Sequence, residues 1–220
     1  MNNLLRIGSI ISQSEVNGPG KRLVIWTQGC GKACKGCFNP NTWSPTGGKL
    51  WEPSDFANHI YELWLGEKFE GITFTGGDPL EQPEALLDVL QFLHAIKPDL
   101  NWLPAGIICF TGYTMEEIES MQGGEGIAAR ACIPMFDLLI DGRYVEGLKI
   151  IDRLAGSSNQ RFHFSQIYGR GKCRIGEKEV EVDQGVEIHP ISQDGDIFEL
   201  TGFPSIDREW LKRKGISILK

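Results

Sequence analysis

KRLVIWTQGCGKACKGCFNP, residues 21–40, joins a short β-rich run to a loop carrying three cysteines in a CxxxCxxC spacing. Leu23, Val24, Ile25 and Trp26 read as a buried strand, and the glycines and Pro40 close it off. Working outward, the same alternation recurs. Pro53 to Leu65 sets Phe56, Ile60, Leu63 and Trp64 at helical spacing, with proline suited to a first turn. Gly71 to Thr75 (GITFT) is a second strand, and Pro83 to Lys97 is a second helix with Leu86, Leu90, Leu93 and Ile96 on one face. Ala105 to Thr111 (AGIICFT) reads as a buried strand, Thr114 and Glu117 as a capping box, and Phe136 to Asp141 (FDLLID) as a fourth strand. Strands separated by helices predict an α/β protein with a mostly parallel sheet, either open or curled into a partial (β/α) barrel.

From about Phe164 the texture changes to short β-like runs (FHFSQIY, KEVEV, GVEIHP, DIFEL) between turn signals, with an amphipathic stretch from Ser205. The chain therefore divides into a core of residues 1–163 and a β-rich extension, 164–220, packed on it, because so short a segment makes a marginal core alone.

Composition narrows the function classes. The chain has 220 residues, 22 Lys and Arg against 29 Asp and Glu, and a net charge of −7, which disfavours nucleic acid as a partner. No segment approaches the ~18 apolar residues of a membrane span, and the N-terminus lacks a basic flank and apolar run, so a cytoplasmic protein with no membrane partner is expected. In that reducing setting six cysteines point to metal or redox chemistry rather than a disulfide framework. The 27 glycines exceed the roughly 7% of ordinary chains.

Three motifs fall at the C-terminal ends of predicted strands: Cys30 to Cys37, Thr75-Gly76-Gly77-Asp78-Pro79, and Thr111-Gly112-Tyr113. In parallel α/β folds that edge is where ligands bind, so the three are expected to face one cavity. Three thiolates within eight residues suit an iron-sulfur cluster, zinc or copper(I). A zinc site would want a fourth ligand; Cys109, Cys132 and Cys173 are isolated, and the four histidines form no ligand pair. A cubane held by three cysteines leaves one iron open to a chelating small molecule. Taken alone, the Gly-Gly-Asp-Pro and Thr-Gly-Tyr segments read as ordinary turns, and Cys109, Cys132 and Cys173 as buried small apolar residues. Asn159, Gln160 and Arg161 read as groups satisfying the backbone, and Arg208, Lys212, Arg213 and Lys214 as a solvated helix face.

The sequence resembles the radical S-adenosylmethionine superfamily, whose signature is the CxxxCxxC loop after the first strand. More narrowly it is similar to the activating proteins of anaerobic ribonucleotide reductase. The matching residues are Asn17-Gly18-Pro19-Gly20, Gly29-Cys30 through Cys37-Phe38-Asn39, Thr42-Trp43, Gly76 to Leu80, Thr111-Gly112-Tyr113, Asp141-Gly142-Arg143-Tyr144 and Gly156 to Gln160, over about residues 15 to 163. The resemblance implies one 4Fe-4S cluster on Cys30, Cys34 and Cys37, with S-adenosylmethionine chelating the fourth iron. It places Gly36, Cys37 and Phe38 along the adenine side, and Gly76, Gly77 and Asp78 at the methionine end. Reductive cleavage would give a 5′-deoxyadenosyl radical, which would take hydrogen from a glycine of a partner glycyl-radical enzyme. An external electron donor such as flavodoxin or ferredoxin is implied, and no acid or base residue is assigned. Residues 164–220 depart from the compact activators, which end near Ser157-Ser158-Asn159-Gln160. Two other functions remain open: a radical enzyme acting on a small molecule, similar to 7-carboxy-7-deazaguanine synthase, and a zinc-stabilised interaction module.

Overall fold

The structure, a computed structural model, describes residues 3–96, 103–150, 154–164, 186–190 and 198–202. In chain order the strands and helices are β1 (Leu5–Ser14), β2 (Arg22–Thr27), β3 (Lys49–Trp51), α1 (Pro53–Glu67), β4 (Gly71–Gly76), α2 (Pro83–Ile96), β5 (Ile107–Phe110), α3 (Met115–Ser120), α4 (Gly123–Cys132), β6 (Leu138–Asp141), β7 (Arg161–Phe164), β8 (Val186–Pro190) and β9 (Phe198–Gly202). Seven of them form one sheet in the order β3-β1-β2-β4-β5-β6-β7.

The central four, β2, β4, β5 and β6, run parallel, as the alternation of strands and helices predicts. Antiparallel strands flank them: β1 and β3 on one side, β7 on the other. Register sets the ends of the parallel strands level: Thr27 lies opposite Gly76, Phe74 opposite Cys109, and Phe110 opposite Ile140. The loops that follow them start from one edge of the sheet.

Every residue of β2 is buried, because the sheet is covered on both faces. Leu23, Ile25, Ile72, Phe74, Ile107, Cys109 and Leu139 point into one core with Phe56 and Ile60 of α1 and Leu86, Leu90 and Leu93 of α2. The alternate residues point the other way: Val24 and Trp26 pack with Ile11, and Ile108, Leu138 and Ile140 pack with Leu154. This two-residue split is the strand periodicity, and each fully buried aliphatic side chain contributes roughly 1.5–3 kcal/mol.

Three elements carry no clear sequence signal: the three-residue β3, which falls in the stretch between the cysteines and α1, and β1 and α4. In β1 the apolar alternation is broken by register shifts between Ile7 and Ser9 and between Ile11 and Ser14, where Gln13 turns to φ 64°. Helix α4 is disguised by Gly123, Gly124 and Gly126, poor helix formers. Gly126 is there for space: a Cβ would lie 2.3 Å from the Met121 carbonyl oxygen at the tight α3 to α4 turn. The capping box is present, with the Thr114 hydroxyl accepting from the Glu117 N–H at 3.2 Å and the Glu117 carboxylate accepting from the Thr114 N–H at 2.9 Å.

Strand β7 pairs antiparallel with β6, with Leu138 opposite Phe164 and Asp141 opposite Arg161. Beyond it, β8 and β9 form a separate antiparallel ladder; β8 falls within the run GVEIHP, and β9 starts inside DIFEL and runs on through Thr201 and Gly202. The run KEVEV, Cys173 and the stretch from Ser205 lie outside the described residues. Among the described residues no helix is long and apolar enough to cross a membrane.

Candidate functional site

The cysteine loop is anchored before it reaches its first cysteine. Gln28, Gly29 and Cys30 donate backbone N–H groups to the carbonyls of Arg6, Thr42 and Trp43, so the loop is held by β1 and by the turn at Pro40–Thr42. It then coils tightly: Gly29, Ala33 and Gly36 all have positive φ, and at Ala33 (φ 44°) that is a strained conformation for a residue with a Cβ. The Cys37 N–H donates to the Cys34 carbonyl at 3.1 Å, and the Asn39 N–H points at Cys37 Sγ at 3.4 Å.

Cys30, Cys34 and Cys37 are half-buried and outside any disulfide, and all three line one cavity at the C-terminal edge of the parallel strands. The second loop brings Gly76, Gly77 and Asp78 to the same cavity, and the third brings Thr111 and Gly112. Phe38, Gly142, Tyr144, Gly156 and Gln160 also border it, with the Phe38 and Tyr144 rings 5.3 Å apart. The three strand-end motifs thus share a cavity. Gly36 lies just outside it, against Glu146.

The two glycines are dictated by the chain's own packing. At Gly76 (φ 100°) a Cβ would lie 2.6 Å from Trp26 Cα, and at Gly77 it would lie 2.3 Å from the Gly29 carbonyl oxygen. That oxygen also accepts from the Asp78 N–H at 3.0 Å, and the Gly77 N–H donates to the Thr27 carbonyl at 2.8 Å. The glycines let the second loop lie flat on the cysteine loop. Gly77→Ala is therefore expected to destabilise the fold by about 1–3 kcal/mol and to impair iron uptake. Gly31→Ala, whose Cβ would meet nothing nearer than 3.6 Å, is expected to change stability by no more than about 0.5 kcal/mol. Urea unfolding and iron analysis of both variants check the pair.

Asp78 is almost completely buried, and its carboxylate is engaged by the chain itself. It accepts from the Leu80 N–H at 3.0 Å, the Thr111 hydroxyl at 2.8 Å and the Gly112 N–H at 2.8 Å, and pairs with Lys32 Nζ at 2.8 Å. Lys32 also meets Glu81 at 2.9 Å. Burial alone would lower the Lys32 pKa, but the two carboxylates more than reverse this and hold the ammonium charged above its ordinary range. Glu81 is lowered despite its burial, by the hydrogen bond and charge of Lys32. Burial raises the Cys30 and Cys34 thiols; a soft metal centre would have to displace those protons, as thiolate ligation always does.

The later motifs brace the far side. Asp141, fully buried at the end of β6, accepts from the Met115 N–H at 2.8 Å and from Arg161 Nε at 3.0 Å. Gln160 accepts from the Gly156 and Ser157 N–H groups and donates to the Gly142 carbonyl, while Asn159 donates to the Arg143 carbonyl. The backbone-satisfying role expected of Asn159 and Gln160 is what these contacts supply. Arg161 instead forms a bidentate pair with Glu116, 2.7 Å on each arm, beside its bond to Asp141. Cys109 and Cys132 are buried core residues, and burial pushes the Cys132 thiol up to about 12. Sequence reading passed over Lys32 and Tyr144 as individual residues; the one lies inside the cysteine triplet and the other in Asp-Gly-Arg-Tyr, motifs in which cysteine and aspartate drew the attention.

A mixed sheet whose parallel centre delivers three cysteines, a double glycine and a buried aspartate to one open edge has the architecture of a radical S-adenosylmethionine protein. Residues 16–163 match the family described as 4Fe-4S single cluster domain. The chain is 32% identical over 152 residues to the anaerobic ribonucleoside-triphosphate reductase-activating protein of Enterobacteria phage T4, spanning 66% of this chain and 85% of that one. It is 34% identical over 158 residues to the protein of that name from Vibrio cholerae, spanning 67% and 90%. Pyruvate formate-lyase-activating enzyme of Clostridium pasteurianum is 41% identical over 88 residues, 39% of this chain and 37% of that one. The chain belongs to the 4Fe-4S single cluster family and, within it, to the activating proteins of the radical S-adenosylmethionine type. One 4Fe-4S cluster and S-adenosylmethionine are the cofactors that go with that membership.

Proposed function

We propose that the protein is an activating enzyme that generates a glycyl radical on an anaerobic ribonucleotide reductase in the cytoplasm, drawing electrons from an external donor such as flavodoxin or ferredoxin. Cys30, Cys34 and Cys37 hold the cluster; Phe38, with Gly36 and Cys37 beside it, borders the adenine, and Gly76, Gly77 and Asp78 border the methionine end. The observation that carries the reading is the convergence of three half-buried cysteines with the Gly76-Gly77-Asp78 loop on one cavity. The donor set fits the cluster: three thiolates from one loop, no fourth cysteine beside them among the described residues, and an open side.

When bound, the cluster and S-adenosylmethionine would supply radical chemistry: one electron from the external donor, passed through the cluster, would cleave the sulfonium and allow hydrogen-atom removal from a glycine of the partner. This chain's residues position and shield. The left-handed turns at Ala33 and Gly36 fold the triplet compactly, and Gly76 and Gly77 let the second loop press against it. The Phe38 and Tyr144 rings form an apolar wall at the cavity, which keeps water from a reactive intermediate. Residues 164–220, taken as an extension of the 1–163 core, would serve either as a docking surface for the partner or as a cover for the open edge of the barrel.

Anaerobic reconstitution tests the cofactor assignment: roughly four irons per chain are expected for one cubane, and zinc without iron would overturn it. Reduction with S-adenosylmethionine and the candidate reductase is expected to give a glycyl-radical doublet in electron paramagnetic resonance. Abundant 5′-deoxyadenosine with no protein radical on any candidate would favour a small-molecule substrate instead.

A further inference from the structure

We propose that Lys32 is a positioning residue, a charged bolt that fixes the cysteine loop to the two other strand-end loops and offsets the charge of the two carboxylates, Asp78 and Glu81, held beside that loop. The inference rests on the cluster assignment above. Lys32 lies between Cys30 and Cys34, yet its side chain turns inward and is only 5% exposed. Its ammonium reaches Asp78 of the second loop at 2.8 Å and Glu81 at 2.9 Å, and it sits 3.3 Å from the centre of the Tyr113 ring in the third. The Gly31 N–H adds a bond to Glu81 at 3.3 Å. One side chain therefore touches all three loops.

The Thr111-Gly112-Tyr113 motif serves this contact at each position. The Thr111 hydroxyl and the Gly112 N–H hold the Asp78 carboxylate, and the Tyr113 ring lies beneath the ammonium. Gly112 supplies the space: a Cβ there would lie 2.4 Å from Lys32 Cδ. Its backbone has no positive φ, so the absent side chain, not a special conformation, is what the lysine requires. Asp78 acts on the site through this bolt, since Leu80, Thr111, Gly112 and Lys32 already meet its carboxylate.

The arrangement has two consequences. Loop register, and with it the fit of S-adenosylmethionine between the cysteines and Gly76-Gly77, depends on Lys32. The ammonium also offsets part of the negative charge that Asp78 and Glu81 bring to the cysteine loop, so removing it leaves two uncompensated carboxylates, disfavours the cluster's reduced form, which carries one more negative charge, and lowers its potential.

The test compares wild type, Lys32→Met and Gly112→Ala after anaerobic reconstitution. Lys32→Met keeps most of the stem and removes the charge; Gly112→Ala keeps the charge and pushes the stem aside. Calorimetric titration of the unreduced proteins with S-adenosylmethionine is expected to show Kd raised about tenfold or more in both variants. Spectroelectrochemistry is expected to show a lower midpoint potential in Lys32→Met. A purely structural lysine would lower unfolding stability and leave both quantities at the wild-type values, and that result overturns the proposal. If Lys32→Met fails to fold, Gly112→Ala decides by its Kd: a wild-type value overturns the proposal. Wild-type protein that takes up no iron overturns the cluster assignment, whereas normal wild type with unaltered variants overturns only the role of Lys32.

Discussion

Cys34→Ala is expected to abolish S-adenosylmethionine cleavage and to strip or destabilise the cluster while leaving the fold intact. The residue sits at the centre of the triplet in an irregular loop, half-exposed, with no part in the sheet or the cores. Its removal deletes one of three thiolates and leaves no substitute close by among the described residues, where Cys109 and Cys132 are fully buried in the apolar core. The cluster-free variant is expected to unfold within about 0.5 kcal/mol of the parent, as surface substitutions do. Iron content per chain, 5′-deoxyadenosine production and urea unfolding together check it. Undiminished cleavage would contradict the ligand assignment, and a large loss of stability in the cluster-free state would contradict the placement of Cys34 outside the core.

The largest expected loss of stability comes from the opposite end of the sheet. Arg22 is fully buried at the start of β2, among the backbone carbonyls at the N-terminal ends of the parallel strands. Its Nε donates to the Thr73 hydroxyl at 2.6 Å, Nη1 to the carbonyls of Pro19 and Ala105, and Nη2 to those of Ile72 and Gly106, all within 2.9 Å. The Thr73 hydroxyl in turn donates to the Asn17 carbonyl at 2.8 Å, so one guanidinium ties the Asn17-Gly18-Pro19-Gly20 turn to β4 and to the loop before β5. Gly71 makes room for it, since a Cβ there would lie 2.4 Å from Arg22 Nη1.

Arg22→Met keeps the apolar stem and removes the five hydrogen bonds of the guanidinium, and it is expected to cost about 3–5 kcal/mol. Lysine, with three donors on one atom, cannot reproduce the planar fork, so Arg22→Lys is expected to recover only part of this. Chemical denaturation of the cluster-free protein measures both. A loss below about 1 kcal/mol for Arg22→Met would mean that water or neighbouring groups replace the guanidinium, against the buried geometry.

How much of this was legible beforehand depended on whether the signal was local. Strands β2, β4, β5 and β6 and helices α1 and α2 could be read because burial on both sheet faces leaves continuous apolar runs, and burial on one helix face leaves the spacing of Phe56 and Ile60 or of Leu86, Leu90 and Leu93. Strand β1 could not, because the bulges near Ser9 and Gln13 shift its apolar residues out of phase. Helix α4 could not, because Gly126 answers to a contact with Met121 that only the folded turn creates. In the site the cysteines announced themselves by spacing. The reason for Gly76 and Gly77 was legible only in part: space for a close backbone approach was expected at the cofactor, whereas the backbone met in the folded chain is that of Trp26, Thr27 and Gly29.

By itself, then, the sequence determined the parallel α/β core, the three strand-end motifs and the thiolate chemistry of Cys30, Cys34 and Cys37, because periodicity and ligand spacing are properties of neighbouring residues. Tertiary structure alone decided that Lys32 turns inward to Asp78, Glu81 and Tyr113, that Thr111 and Gly112 hold Asp78, and that Arg22 seals the far edge. Each of these joins residues dozens of positions apart, and a buried charge reveals its partners only when the strands between them have been set in register.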